Sequence, residues 1–440
     1  MDEPIEPAES ALVDAFDRRI AACLAAQFQI LPTASRRLLD PFSGRSVLLN
    51  AERARRPAPG SGAHPYRSGR TPPTLSYVRA GTLDVLVETE SQSLEFAREA
   101  GERGATPWEV IDALGGMTRS TSSGAGSPAP VPAAAVPAVF PSEPWLARTF
   151  LNLAPIVADS GVGANGFVVA VAPEHEDADM GVLLTGLDMV GGSGRSGATG
   201  AITGAGGGSR GAGTGPVGGR GRGRLLPPDV VEAVVLSWAL LDRWAESRGL
   251  VSVPFVNGGK GPASGQSLQA FHAQFYALGA DLGLPGYAYS GTTSGSTRCP
   301  VCDVIAEAAL EIAKVGTVGV YAHPAPEKEL TVVVAATDHV SSISAVPARD
   351  FARALTVAVR SFEASLGAVP PYNIAVRCGT SAGHLHAEVI PRSGVPVAAG
   401  FEKSTGLYVT TRDPLHVAAA LRLWVPSATD AALRPPDPED

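Results

Sequence analysis

Apolar and polar positions recur along this chain with two periods, and the periods mark its elements. From Pro228–Ser247 the apolar residues fall at helical spacing behind a Pro227-Pro228 start, and Ala348–Leu366 repeats that pattern; both predict helices. A third helix is predicted over 301–314. Short Val-rich runs bounded by polar residues predict strands at 166–171, 330–336 and Tyr372–Arg377, with a further short strand at 385–390. Ser46–Leu49 is strand-like as well.

The pattern repeats. Gly166-Phe-Val-Val-Ala-Val-Ala-Pro-Glu-His175 resembles Leu330-Thr-Val-Val-Val-Ala-Ala-Thr-Asp-His339, an apolar strand closed by an acidic-His pair in both cases. A long helix follows each copy, then a strand, a Gly-containing turn and a His-centred strand. That last strand contains Phe271-His-Ala-Gln-Phe275 in the first copy and Gly383-His-Leu-His-Ala-Glu388 in the second. His175 and His272 are 97 positions apart, whereas His339 and His386 are 47 apart. A Gly-rich insert accounts for most of the difference, so the chain reads as a duplicated α+β unit with a surface excursion in its first copy.

Composition locates that excursion. Gly (50) and Pro (37) together make about a fifth of the 440 residues, against an average near 12%. Much of the excess lies in a Pro/Ala-rich segment at about 118–144 and a Gly-rich segment at about 191–224. Both read as disordered inserts, because they hold too few large apolar residues to offset their ordering entropy. Arg220, Arg222 and Arg224 at the end of the second read either as a contact for RNA or an acidic partner, or as part of a solvated insert. The net charge of −8 argues against a nucleic-acid partner for the chain as a whole. No run of 18 apolar residues is present, so no membrane partner is expected. The acidic start has no signal-sequence pattern, and four cysteines do not make a disulfide scaffold; a cytoplasmic setting follows as the expectation.

Two groups of residues carry candidate chemistry. His272 and Gln274 are two apart on a predicted strand and so share a face, next to a Gly-containing turn with Ser267. A neutral imidazole can attack phosphorus while amide and hydroxyl donors hold its oxygens, although a structural histidine on a strand fits the same spacing. Cys299 and Cys302 form a CxxC pair, with His339 and His384 downstream. Two thiolates and two imidazoles make a closed tetrahedral zinc set, and a structural or redox thiol pair is the other reading. Cys23 and Cys378 read as ordinary small buried residues. The cluster Arg53-Ala-Arg55-Arg56-Pro57 suits bidentate phosphate binding or a solvated basic face.

Together these residues resemble a known family. The run from Arg37 to Pro57 resembles the opening of galactose-1-phosphate uridylyltransferases, and Ser267-Leu-Gln-Ala-Phe-His-Ala-Gln-Phe-Tyr-Ala-Leu278 resembles their active-site strand, usually His-x-His-x-Gln. It is similar too to the strand of nucleotide-sugar phosphorylases of the same histidine-triad superfamily. The stretch from Cys299 to Arg422 resembles the second half of the family through Pro370-Pro-Tyr-Asn373, the His384-Leu-His-Ala-Glu388 strand with Pro391-Arg392, and Ala399-Gly-Phe-Glu402. The resemblance implies an α+β fold of two tandem histidine-triad-like units, an antiparallel sheet with packed helices, divided here as 1–290 and 291–440. It implies a ping-pong nucleotidyltransferase in which His272 attacks the α-phosphorus of a nucleotide sugar and Gln274 assists. Ser267 and Asn257 would hold the α-phosphate, Arg53 and Arg56 would lie near the nucleotide phosphates or base, Asn152 near the nucleoside, and Glu402 on sugar hydroxyls. The implied partners are a nucleotide sugar, a sugar phosphate and a second copy of the chain in a homodimer.

The departures from the family pattern form a coherent set. Ala270 replaces the first histidine of the active strand, the region after Pro57 has no cysteine, and His175 remains without those partners. The first-unit zinc site is therefore expected to be lost, and structural zinc is expected in the second unit on Cys299, Cys302, His339 and His384. Glu388 stands where the second unit would have Gln, so His386 reads as a packing or metal-adjacent residue or as a second catalytic centre. Asn152 is followed by Leu153 and Ala154, not by the acidic and aromatic residues expected beside a uridine. A nucleotide-sugar or dinucleotide phosphorylase using inorganic phosphate and a degenerate, non-catalytic nucleotide-binding or scaffold protein are the rival functions.

Overall fold

A computed structural model of the chain describes residues 13, 14, 16, 17, 20, 36–39, 41, 46–49, 75–79, 82–85, 146–152, 163–172, 226–259, 264–265, 270–279, 284, 299–366, 369–378, 383–392 and 400–433. Both Gly/Pro-rich segments and the boundary expected near 290 lie outside these residues, as do Arg53, Arg56, His175, Ser267 and Cys23.

Helix α1 (Pro228–Ser247) has Pro at its first turn, where the missing N–H costs nothing, and Asp229 Oδ1 accepts from Val230 N at 3.0 Å. It stops at Gly249, whose φ of +66° lets the chain turn back so that Leu250 N reaches Ala245 O at 2.9 Å. Val230, Val234, Trp238, Leu241 and Ala245 line its buried side. The helix α3 (Ala348–Leu366) buries Phe351, Leu355, Ala358 and Phe362 at the same spacing. It packs between α1 and the C-terminal helix α5 (Pro414–Leu433). A short helix, α4 (Gly400–Thr405), precedes α5.

The helix predicted over 301–314 is shorter than the sequence suggests. Helix α2 spans only Pro300–Ala306, a 3₁₀ turn covers Ala308–Leu310, and Glu311–Val315 is strand β9. Ala, Glu and Lys favour helix locally, but Glu311–Val315 pairs antiparallel with β10 (Val318–Ala322), and that pairing overrides propensity. The two strands join through Gly316-Thr317; Gly316 has φ +56° and a Cβ there would lie 2.0 Å from Asp350 Oδ2.

The remaining strands are β1 (Arg36–Leu39), β2 (Ser46–Leu49), β3 (Ser76–Arg79), β4 (Thr82–Val85), β5 (Ala147–Leu151), β6 (Gly163–Val171), β7 (Val251–Gly258), β8 (His272–Leu278), β11 (Val332–Ala336), β12 (Tyr372–Arg377) and β13 (His386–Pro391). β1 and β2 pair with each other. The others form one antiparallel eleven-stranded sheet in the order β4-β3-β5-β6-β8-β7-β12-β13-β11-β10-β9. The order has an internal symmetry: β5-β6-β8-β7 on one side of the β7/β12 junction mirrors β12-β13-β11-β10 on the other, each set threaded strand, strand, helix, strand, strand. The resulting architecture is α+β, with α1, α3 and α5 on one face.

The core lies between that face and the helices. Alternate strand residues such as Phe167, Val169, Ala273, Phe275, Ile374, Val376, Ala387 and Val389 point into it. Their neighbours in sequence point to the opposite face, and the polar chemistry of both histidine strands is there. Among the described residues no helix is long and apolar enough to cross a membrane.

Candidate functional site

On β8, His272, Gln274 and Tyr276 share the face opposite the helices, because Ala273, Phe275 and Ala277 belong to the core. Each stands in a row across the sheet. His272 is opposite Ala170 on β6, and Ala170 is opposite Arg148 on β5. Gln274 lies between Val168 and Phe255, and Tyr276 between Gly166 and Val253. A Cβ on Gly166 would come within 2.5 Å of the Tyr276 ring, so only glycine lets the tyrosine lie over β6. Tyr276 stacks on Phe255, with centroids 6.0 Å apart and planes 14° from parallel. Asn152, at the end of β5, donates Nδ2 to Tyr276 Oη at 3.3 Å. The face therefore runs from His272 at one end, through Gln274, to Tyr276 and Asn152 about 13 Å away. Arg148 is fully buried in β5, its guanidinium 5.3 Å from the Phe150 ring centre.

The ring of His272 is held by the backbone. Its Nδ1 lies 2.9 Å from the Ala270 carbonyl, which can only accept, so Nδ1 carries the proton and the lone pair of the neutral ring is on Nε2. His386 is held in the same way, with Nδ1 2.7 Å from the His384 carbonyl. Burial pushes its pKa below the ordinary histidine value.

The surroundings of the two histidines differ in charge. Gln274, two residues after His272, is neutral. Glu388, two residues after His386, sits between His323 Nε2 and Arg377 Nη2, both at 3.7 Å. The hydrogen bond from His323, helped by Arg377, holds its carboxyl below the ordinary value and so ionised. Arg377 is directly opposite His386 in the β12/β13 pairing.

Asn257 is half-buried one residue before the end of β7, and its Oδ1 accepts from Asn373 Nδ2 at 2.7 Å. Glu402 is half-buried on α4. Asn373 and Tyr276 were not singled out as functional by their spacing; the signal for the first was the Pro370-Pro-Tyr-Asn373 run, and for the second its place on the His272 face.

Cys299, Cys302, His339 and His384 meet at one point. Their ligand atoms all lie within 4.8 Å of one another. His384 Nδ1 is 3.5 Å from Cys299 Sγ and 3.4 Å from Cys302 Sγ, and His339 Nδ1 is 3.3 Å from Cys302 Sγ. Zinc bound at about 2.3 Å to sulfur and about 2.0–2.1 Å to nitrogen places these atoms about 3.5 Å apart in a tetrahedron. The observed separations are edges of that figure. His384 Nε2 is 2.8 Å from the Ala336 carbonyl, which orients Nδ1 toward the thiols, as metal-binding imidazoles require. Burial lowers the His384 pKa and favours the neutral, ligating form. The donor set fits a metal ion. Cys378 stands apart, buried, its thiol pushed well up by desolvation and by Asp242.

No protein-family model matches the chain, and no curated protein matches it. Solved structures do. One described as a uridylyltransferase is 19% identical, with a TM-score of 0.47 over 66% of this chain and 87% of that one. A GalT-like protein from Arabidopsis thaliana is 18% identical, with a TM-score of 0.45 over 63% and 84%. An ADP-glucose phosphorylase from Arabidopsis thaliana with bound ADP-glucose is 17% identical, with a TM-score of 0.48 over 88% and 98%.

Proposed function

We propose that the chain is a nucleotidyltransferase that forms a nucleotidyl-histidine on His272 from a nucleotide sugar and passes the nucleotide to a sugar 1-phosphate. The observation that carries this reading is the Nδ1 bond to the Ala270 carbonyl, which leaves the nucleophilic lone pair on Nε2, on the face that also bears Gln274. In the first step Nε2 attacks the α-phosphorus, the N–P bond forms, and the P–O bond to the sugar phosphate breaks with its electron pair on the leaving oxygen. The Nδ1–H stays on the ring and keeps donating to the Ala270 carbonyl, which stabilises the positive charge that develops on the imidazole. In the second step a phosphate oxygen of the acceptor attacks the same phosphorus and releases the imidazole.

Gln274, Asn257 and Ser267 hold the non-bridging oxygens, Arg53 and Arg56 the nucleotide phosphates or base, Asn152 the nucleoside, and Glu402 the sugar. Two tandem histidine-triad-like units, 1–290 and 291–440, supply this arrangement, in a cytoplasmic homodimer. The side chains favour the first histidine strand for the reaction: ionised Glu388 beside His386 can only accept hydrogen bonds, whereas Gln274 beside His272 can donate one to a phosphate oxygen. Ala270 does not remove the nucleophile, because the group that fixes the ring is a backbone carbonyl, present whatever side chain stands there. Cys299, Cys302, His339 and His384 hold a structural zinc ion.

The test is incubation with UDP-, GDP- and ADP-sugars labelled at the α-phosphorus, followed by mapping of acid-labile label. Label on His272, lost in His272→Asn, is the expected result. Its release by sugar 1-phosphates identifies a transferase, and release by inorganic phosphate alone a phosphorylase. No label from any of these donors overturns the catalytic reading in favour of a nucleotide-binding scaffold.

A further inference from the structure

We infer that Asn373, contributed by the second half of the sheet, is a positioning residue for the phosphoryl site of the first half, acting through Asn257; this rests on the reading of His272 as nucleophile. Asn373 is directly opposite Asn257 across the β7/β12 junction. Its Nδ2 lies 2.7 Å from Asn257 Oδ1 and 2.7 Å from the Ser264 carbonyl. An amide nitrogen has two protons, and both are used.

The Ser264 carbonyl removes the usual ambiguity of amide orientation. It can only accept, so the end of Asn373 that faces it is the NH₂ group. The Asn257 atom facing that NH₂ must then be its acceptor, Oδ1. Asn257 is left with Nδ2 as its outward group. The β7/β8 register ends at Val256 opposite Ala273, so the next positions, Asn257 and His272, are neighbours across the pair. Directly opposite side chains have Cβ atoms about 4.5–5.5 Å apart. Asn373 thus determines that Asn257 offers a donor, not an acceptor, beside the nucleophile, where the non-bridging oxygens of a reacting phosphate gather.

The backbone is built for this approach. A Cβ on Gly258 would lie 2.2 Å from Tyr372 Cζ, and one on Gly259 would lie 2.5 Å from Pro371 Cα, at a φ of +80°. The two glycines let the end of β7 close on Pro370-Pro371-Tyr372-Asn373. The second bond of Asn373 fastens Ser264, whose neighbour Gly265 has a φ of +82°.

The experiment measures single-turnover labelling of His272 at saturating nucleotide sugar in the full chain, with melting temperatures as the folding control. Asn257→Ala should slow labelling about 100-fold, the usual effect of losing one oxyanion donor. Asn373→Asp, which makes Asn257 turn its NH₂ inward, should slow it at least 10-fold. The double variant should be no slower than Asn257→Ala alone, because Asn373 acts only through Asn257. A wild-type rate in Asn373→Asp, or multiplied losses in the double variant, overturns the inference. If Asn373→Asp does not fold, Asn373→Leu, which has no donor for Asn257, replaces it under the same criteria.

Should the wild-type chain form no adduct, the nucleophile reading fails separately. The positioning inference is then decided by the side-chain amide signal of Asn257 in asparagine-labelled protein titrated with UMP, GMP and AMP. A response in wild type that is lost in Asn373→Asp supports it; no response in wild type, or an equal one in both, overturns it.

Discussion

Asp242 is wholly buried in α1, where its Oδ2 accepts from Ser342 Oγ at 2.7 Å and from Ile343 N at 3.0 Å. Desolvation outweighs these bonds and raises its carboxyl above the ordinary 3.8. The native state therefore keeps this proton at a pH where the unfolded chain has lost it. Its contribution to stability is full below the ordinary carboxyl value and falls as pH rises through the raised native one. Asp242→Asn should remove that dependence: the melting temperature of the variant minus that of wild type becomes more positive from about pH 3.5 upward. A difference that stays constant with pH would reject the assignment. The same scale separates what the sequence can and cannot tell about the site. A spacing of two places His272 and Gln274 on one face. The Ala270 carbonyl that fixes the ring is backbone, which no residue type announces, and Asn373 meets Asn257 across 116 positions of chain.

Helix α2 has seven residues, too few to be stable alone, and Cys299 at its N-cap makes no side-chain cap bond. Val301 packs with Tyr321, Val333 and Ala335, and the half-buried Val304 and Ile305 add to that contact, so a small apolar patch and the thiols hold the helix to the sheet. His339 and His384 come from the segments after β11 and before β13. A zinc ion at these four groups would clasp three elements. Cys302→Ser should lose about one equivalent of zinc by metal analysis and speed amide exchange in α2 and around His339, while α1 keeps its protection. Unchanged metal content would leave the thiol pair structural or redox-active instead. The elements themselves were unevenly legible. Pro228–Ser247 and Ala348–Leu366 were readable to the residue, because a proline start and helical spacing agree with their packing. The stretch after Ala306 misled because Glu311–Val315 is rich in helix formers yet lies at the sheet edge, where Arg422 of α5 donates to the Glu311 and Ala309 carbonyls. Local propensity carries no information about that distant arginine.

At the scale of the whole molecule, the β7/β12 junction joins the two mirrored sets of strands into one sheet, and a single apolar cluster continues under both. Trp238 and Trp244 of α1 belong to the same cluster as Phe351 and Phe362 of α3. Asp242 ties α1 to the 3₁₀ turn Ile343–Ala345, which follows β11 on the other side of the junction. Such continuity should make the mirrored halves unfold together, although the Cys299, Cys302, His339 and His384 group belongs to only one of them. Removing bound zinc removes a ligand of the native state, worth about 4 kcal/mol where free metal is 1,000-fold above its dissociation constant. For a chain this long, that corresponds to a fall in melting temperature of roughly 5–10 °C. The prediction is that a chelator lowers one shared transition, seen alike by far-ultraviolet circular dichroism and by the near-ultraviolet signal of the buried tryptophans. Two transitions, with the tryptophan signal indifferent to chelator, would mean that the junction transmits little and that each half keeps its own stability. A shared transition would instead mean that a metal lost from the second half lowers the stability of both, including that of the Asn373 bridge to Asn257 across the junction.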